Sequence, residues 1–563
     1  MNELQEKSYA VEFGALREYQ QNAIERTLES FERVNSTLYV AATGTGKTIT
    51  FASLIASMIG EKRVIVMAHR DELIQQAADK IHRVTGLECD IEKGDLYADQ
   101  CAIYRRAPVL VTSVQTMSRP RRMERFHPEE FTLLIVDEAH HATAPTYQAV
   151  FEYFRQNPSL KIFGVTATPD RADEAALGRV FEEVACEYSM LDAIDDGWLV
   201  PVEQQFVSIE GLDLSQCRTT AGDLNQGDLS KIVEQEKICL QTVSAIVQIA
   251  KDVPTLVFAA SVAQADLMCE IANRHNPGSA EWICGDAVQF PLDRRREILR
   301  NFRDRQFNFL FNCMVLTEGF DQDNIGCVAV ARPTKSRALY AQMIGRGTRP
   351  IDGLVDGLSD PVARKSAIAL SEKPSVLVLD FVGNSGRHKL VNTADILGGN
   401  YDDEIVAAAT RAVQAKSSRS ERADMLAELR AAEERRRIAR LKKRAHVAPT
   451  AKFTTKRIDP FDVFDITPKR EPGWHRGRQP TAKQLAYLEK CGVPTDGLSF
   501  HKASQLIEEA IERRQKHLAT FKQSKILLKH GFESNVSFEE ASSIIDRIAK
   551  SGWKLRGPLY ERQ

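Results

Sequence analysis

The stretch Ala41-Ala42-Thr43-Gly44-Thr45-Gly46-Lys47-Thr48 constrains this chain more than any other. A short β-like run, Thr37-Leu38-Tyr39-Val40, leads into it, and a helix-like run from Ile49 to Met58 leads out. Strand, glycine turn and helix in that order are the setting of a phosphate-binding loop. Gly44 and Gly46 let the backbone curl and approach an anion with no Cβ in the way. The backbone N–H groups from Thr43 to Gly46 then converge on the anion at the helix N-terminus. Lys47 reaches the outer phosphates, and the Thr48 hydroxyl is placed to ligate Mg²⁺. The usual pattern opens with Gly where this chain has Ala41, a small residue that keeps the turn feasible.

After the loop, short apolar runs alternate with helical patterns. Val64-Ile65-Val66-Met67-Ala68 precedes a helix expected over 71–82. Runs at 109–112, 133–136 and 161–165 follow. Short β-branched runs separated by helices predict an α/β fold with a parallel sheet covered on both faces. Ligands in such sheets bind beyond the carboxyl ends of the strands. Polar motifs fall at those ends, and Asp137-Glu138-Ala139-His140 is the most informative. Asp137 is suited to hold Mg²⁺ and Glu138 to polarise an attacking water. His140 and His141 lack a third ligand nearby, so coupling or packing is expected of them rather than a metal. Before the loop, Leu16, Tyr19, Ala23, Ile24 and Leu28 are spaced as one face of a helix. That helix carries Gln20, whose amide can address both the donor and the acceptor groups of adenine.

The alternation resumes after Asp195-Asp196-Gly197-Trp198-Leu199-Val200-Pro201, a turn into a new segment. Residues 211–230 are polar and read as a connector or insertion, with a helix over about 230–251. Strands are expected at 255–259, 309–312, 327–330 and 376–380. This half has no second phosphate loop. It has Gln342-Met343-Ile344-Gly345-Arg346-Gly347-Thr348-Arg349 instead. Arg346 and Arg349 are three apart, so a helical turn points both one way. Such guanidinium groups could stabilise charge on a transferring phosphate, or simply form a basic helix end.

Together Gln20, Gly-Thr-Gly-Lys-Thr, Asp-Glu-Ala-His, Thr166-Ala167-Thr168-Pro169, Thr317-Glu318-Gly319-Phe320-Asp321 and Gln342 to Arg349 resemble the motifs of superfamily 2 helicases. Within these, the chain resembles the group that holds the type III restriction helicase subunits and RadD. The resemblance covers roughly residues 14–385. It implies two tandem RecA-like lobes, ATP and Mg²⁺ as cofactors, and nucleic-acid-stimulated ATP hydrolysis. By that resemblance Lys47, Asp137, Glu138, Gln342, Arg346 and Arg349 serve catalysis, and Asp321 joins Gln20 and the loop around the nucleotide. His69, Arg70, Thr112, Ser113 and Gln115 would touch strand phosphates, contacts that position without reading sequence. Thr166 and Thr168 would couple the ATP state to that grip, and Thr317 and Gly319 would lie at the strand. The implied activity is an ATP-dependent DNA helicase or translocase in repair, replication or phage defence. Two other readings stay open: an RNA helicase, and an ATP-gated subunit that binds nucleic acid without unwinding it.

The expected domains are 1–200, 201–395, a charged helix and linker over 396–475, and a helical module over 476–563. Asp402 to Ala445 reads as a long charged helix, interrupted near Ser417-Ser418. Its end, Arg435 to Arg444, holds seven basic residues in ten, either a solvated face or a phosphate-binding one. Net charge is only −2, so any basic surface must be local. Residues 446–480 read as a linker, with Asp459-Pro460-Phe461-Asp462-Val463-Phe464 as a docking segment for a lobe or a partner. Beyond lies an internal repeat. Thr481-Ala482-Lys483-Gln484 returns as Thr520-Phe521-Lys522-Gln523, and Ser499-Phe500 returns as Ser537-Phe538. Each unit reads as helix, glycine turn and capped helix, suited to nucleic acid or to a protein partner. The ten cysteines form no Cys-x-x-Cys pair, so neither zinc nor a disulfide framework is expected, and RadD's zinc cysteines have no counterpart. The polar start is unlike a secretory signal and no apolar run approaches a membrane span, which predicts a cytoplasmic protein.

Overall fold

The computed structural model describes residues 16–68, 71–98, 106–167, 169, 171–220, 222–286, 288–316, 322–385, 388–399, 401–445 and 459–558. Packing divides the chain into two units. One comprises residues up to Leu397 with Thr410–Glu428, and the other Gly398–Ala409 with Leu429 onward.

The first unit holds two parallel sheets. In the first, β1 (Ser36–Ala41), β2 (Arg63–Ala68), β3 (Cys89–Glu92), β4 (Val109–Ser113), β5 (Phe131–Asp137), β6 (Lys161–Thr166) and β7 (Glu183–Tyr188) lie in the order β3-β4-β2-β5-β6-β1-β7. Every neighbouring pair is parallel. Strands covered on both faces need apolar residues at successive positions, and β2 and β4 are buried throughout. The register sets Val40 opposite Thr166 and Asp137 opposite Val165, so the ends of β1, β6 and β5 finish side by side.

The second sheet is formed by β8 (Val202–Asp213), β11 (Thr255–Ala259), β12 (Ala280–Ile283), β13 (Phe309–Asn312), β14 (Cys327–Ala331), β15 (Val376–Asn384) and β16 (Ala423–Asp424). Between β8 and β11 sits a small hairpin of β9 (Thr219–Thr220) and β10 (Asp223–Leu224). The sheet order is β12-β13-β11-β14-β15-β8-β16, parallel except for the antiparallel edge strand β16. Two tandem RecA-like parallel-sheet lobes followed by helices is therefore the fold.

The differences from expectation have local causes. β8 carries Glu203-Gln204-Gln205, which reads as polar, yet Gln204 is buried because its amide donates to the equally buried Asp380 of β15. The helix expected over 230–251 is two helices, Gln226–Val233 and Glu236–Ala250, and the expected connector holds the hairpin. The charged stretch is also two helices, Asp403–Ser417 and Met425–Ala445, and β16 occupies the break.

In the second unit, helices Ala482–Cys491, Phe500–Gln515, Phe521–Lys529 and Phe538–Lys550 repeat one plan. Thr481 and Gln484 form a reciprocal cap on the first, as Thr520 and Gln523 do on the third. Gln484 Nε2 then donates to Ser504 Oγ at 3.0 Å, and Gln523 Nε2 to Ser542 Oγ at 2.9 Å. The described part of the expected linker is folded. Asp459 caps the turn Pro460–Phe464, and Phe461, Val463 and Phe464 join Leu488, Val493, Leu506 and Phe521 in one core. The docking partner of that segment is thus the repeat module itself. Among the described residues, no helix is long and apolar enough to cross a membrane.

Candidate nucleotide cleft

The loop after β1 takes its shape from two left-handed glycines, Gly44 (φ 89°) and Gly46 (φ 74°). Gly46 is the N-cap of the helix Lys47–Met58, so the loop ends where the helix dipole begins. Thr45 Oγ1 donates to Ala42 O at 2.7 Å and ties the turn to itself. The preceding helix Glu18–Phe31 braces it from outside: Tyr19 Oη donates to Thr45 O at 2.8 Å and Gln20 Nε2 at 3.2 Å. Gln20 Oε1 accepts from Arg17 N at 3.0 Å, which sets the amide orientation. A Cβ on Gly46 would meet Gln20 Nε2 at 2.7 Å. Lys47 Nζ donates to Ala41 O at 3.3 Å.

The strand ends of β5 and β6 add the acids and a relay. Glu138 is left-handed (φ 51°), and its N–H donates to Asp137 Oδ1 at 3.0 Å. His140 Nδ1 lies 3.1 Å from Thr166 Oγ1 and 3.4 Å from Glu138 Oε2, so one imidazole touches both motifs. Burial alone would raise the Glu138 carboxyl, but His140, Lys47 and Arg346 more than offset it and hold the group below the ordinary carboxylate range.

The second lobe faces these groups with its arginine loop. A Cβ on Gly345 would fall 2.6 Å from Thr43 Cβ, and a Cβ on Gly44 would fall 3.4 Å from Arg349 Cγ. The arginine loop therefore packs directly on the phosphate loop. Thr348 O accepts from Val200 N at 2.8 Å, which ties it to the segment joining the lobes. Burial lowers the pKa of Arg349, with Asp352 opposing, but a guanidinium remains charged.

Between the lobes lies a cavity of about 970 Å³ lined by Gln20, Thr43, Gly44, Gly46, Lys47, Thr48, Asp137, Glu138, Arg346 and Arg349 among others. Thr45 and Gln342 do not line it: Thr45 bonds inside the turn, and Gln342 is buried within the helix Arg337–Gly345. Thr112, Ser113 and Thr166 are buried too, which corrects the expectation that Thr112 and Ser113 touch a strand directly. Thr112 Oγ1 donates to Glu92 O at 2.9 Å, and Ser113 caps the turn Val114–Met117. Gln115 is exposed beside them. His69, Arg70, Thr168, Thr317, Gly319 and Asp321 lie outside the described residues.

Sequence reasoning missed Lys80 and Arg83, which enter the cavity from the helix Asp71–Thr85. Burial lowers the Lys80 amine, Arg349 and Arg346 add to the lowering, and Asp137 opposes it. It also missed Trp198, whose ring lies beneath two guanidinium groups, Arg17 at 4.3 Å and Arg364 at 4.0 Å. Nothing in the spacing of residues so distant in sequence announces that they meet.

The arrangement suits a nucleoside triphosphate. The glycine cradle leaves room that a Cβ would fill, and Thr43 Oγ1 is buried with no hydrogen-bond partner among the described residues. Cations come from both lobes, and the acids sit together at one strand end. No group of three or more His, Cys, Asp or Glu side chains among the described residues could hold a metal. Mg²⁺ needs few protein ligands when phosphates and water supply the rest, so Thr48 and Asp137 suffice.

These features define a two-lobed architecture with a nucleotide-type cleft between the lobes. Residues 13–171 match the family described as Type III restriction enzyme, res subunit, and residues 238–350 match the Helicase conserved C-terminal domain. The two matches fall one on each parallel sheet, so the chain is similar in its paired domains to the superfamily 2 helicases. It is 32% identical over 350 residues to the Saccharomyces cerevisiae protein named "Putative ATP-dependent helicase IRC3", covering 59% of this chain and 49% of that one. It is 25% identical to the "Type I restriction enzyme EcoAI endonuclease subunit" of Escherichia coli, covering 59% of this chain and 44% of that one. Among solved structures, a fragment of an HsdR subunit of a type I restriction enzyme from Vibrio vulnificus aligns with a TM-score of 0.47 at 20% identity, covering 68% of this chain and 67% of that one. The chain spans about half the length of these two curated relatives.

Proposed function

We propose that this chain is an ATP-dependent DNA helicase or translocase. The observation that carries the reading is the split cleft: phosphate loop and acids on one lobe, Arg346 and Arg349 on the other, around one cavity. Residues 1–200 and 201–395 act as its lobes, 396–475 as a charged helix and connector, and 476–563 as an accessory helical module.

Thr43 to Gly46 cradle the phosphates, Lys47 neutralises the outer ones, and Gln20 braces the loop and faces the base. Thr48 and Asp137 hold Mg²⁺, which supplies charge neutralisation on the phosphate oxygens. Glu138, kept ionised, orients water for attack. Arg346 and Arg349 stabilise charge that develops only as the terminal phosphate departs. Because the two arginines belong to one lobe and the cradle to the other, loss of that phosphate weakens the bond between lobes. His140 carries the change to Thr166, at the end of β6. Thr166 thus acts as a coupler rather than a strand contact, and Gln115 remains a candidate for phosphate contact.

DNA is supported by relatives named as a restriction endonuclease subunit and as a DNA 3'-5' helicase, while another relative is named as an RNA helicase. The test is ATP hydrolysis by wild type and Lys47→Ala with single-stranded, duplex and forked DNA and matched RNAs. Stimulation by DNA, lost in Lys47→Ala, supports the proposal. Stimulation by RNA alone would move the substrate to RNA. Hydrolysis on DNA without strand displacement or movement would leave an ATP-gated binding subunit.

A further inference from the structure

A buried amine holds the arginine loop from behind. Lys373 sits in the turn before β15 and is 5% exposed. Its Nζ donates to Arg349 O at 2.6 Å and to Asp323 O at 2.7 Å. Its own N–H donates to Ser371 Oγ at 3.1 Å, which fixes the turn that presents it. Asp323 completes the stitch, because its Oδ2 accepts from Asp352 N at 2.8 Å. Two loops far apart in sequence, at 323 and at 349–352, are thus pinned to each other through one side chain.

A lysine is a poor residue for such a place unless its donors are needed. Burial disfavours the charged amine strongly, with Asp323 opposing and Arg349 reinforcing, and lowers its pKa to about 7. The partners it bonds are backbone carbonyls, and a methionine would fill the same space without the desolvation penalty. What methionine lacks is a donor for the Arg349 carbonyl. On the other side of that residue, the Arg349 side chain lies against the phosphate loop, with Cγ 3.4 Å from where a Gly44 Cβ would stand. The backbone anchor and the working end therefore belong to one residue, separated only by its side chain.

We propose that Lys373 is a positioning residue for hydrolysis: by fixing the Arg349 carbonyl it aims the guanidinium into the cleft. The proposal rests on the reading of Arg349 as a phosphate-facing group. Lys373 itself does not line that cleft.

The test compares Lys373→Met, Arg349→Ala and the double variant in the full chain, reading kcat and KM for ATP with saturating DNA. A misplaced catalytic group acts on turnover before binding, so Lys373→Met should lower kcat about tenfold or more and leave KM within about threefold. In the Arg349→Ala background the same change should lower kcat by less than about twofold, because its target is gone. Unchanged kcat in Lys373→Met would overturn the clamp while leaving the arginine reading intact, and so would a loss that adds in full to that of Arg349→Ala. Full turnover in Arg349→Ala would overturn both. If Lys373→Met does not fold, Lys373→Arg replaces it: donors that are kept but displaced should lower kcat at constant KM, and full turnover would overturn the proposal.

Discussion

The two sheets of this molecule share a frame and divide the chemistry. Each has seven strands, built around the same kind of buried parallel centre. Their ends differ entirely. The first lobe ends its strands in a glycine cradle and two carboxylates, groups suited to a phosphate and a metal. The second offers Arg346 and Arg349 on a loop that packs on that cradle. A frame that repeats while its reactive ends do not is what a cleft needs if the state of one ligand is to decide how two bodies sit. Neither lobe alone has both the cradle and the cations from across it.

The most severe way to break the comparison is to remove the first lobe's cation. Lys47→Ala should abolish measurable ATP hydrolysis, a loss on the order of 10³-fold for a charge aimed at a transferring phosphate. A steady-state phosphate-release assay checks it. Arg349→Ala attacks the other side. It should slow turnover by about 10³-fold, the low end for loss of an arginine finger, yet bind a fluorescent ATP analogue nearly as well as wild type. Loss of binding with intact turnover would reverse the roles assigned to the two lobes.

How much of this was legible depended on distance along the chain. The phosphate loop and Asp137-Glu138 were readable because each is one contiguous run whose neighbours declare a strand and a turn. The parallel sheets were readable where strands have apolar, wholly buried centres, as in β2, β4 and β11. β8 escaped because its buried polar residue, Gln204, donates its amide N–H to Asp380, a partner 176 residues away. Thr112 and Ser113 were placed correctly at a strand end, but whether a hydroxyl faces solvent or a neighbouring carbonyl depends on tertiary packing. Lys80, Trp198 and Lys373 were silent for the same reason. Each matters through contacts that no local pattern encodes.

The relay between β5 and β6 sharpens the comparison within the first lobe. Glu138 has a folded-state pKa below its unfolded value, so its ionised form favours folding above the ordinary carboxylate range. That contribution is lost as pH falls through the depressed value. With the carboxyl held at about 2, hydrolysis should keep its base ionised down to about pH 3. His140→Ala removes a neighbour that holds the carboxyl down while leaving burial to push it up. The acid limb of the pH–rate profile should then move toward neutral. An unmoved limb would show that Lys47 and Arg346 suffice.

The smallest effect comes from the region where repetition is complete. The helical module repeats its caps as well as its frame: Thr481 with Gln484, and Thr520 with Gln523, each closing a reciprocal box. The third helix is also held by Phe521, buried in the module core, whereas the equivalent position of the first is Ala482. Thr481→Ala and Thr520→Ala each remove one cap, worth about 1 kcal/mol. If the boxes are equivalent, amide hydrogen exchange should show similar loss of protection in the first turns of helices Ala482–Cys491 and Phe521–Lys529. If Phe521 bears the third helix, the loss will concentrate in the first. The outcome separates a module stabilised by its repeated local signals from one stabilised by a core that only one of its repeats fully enters.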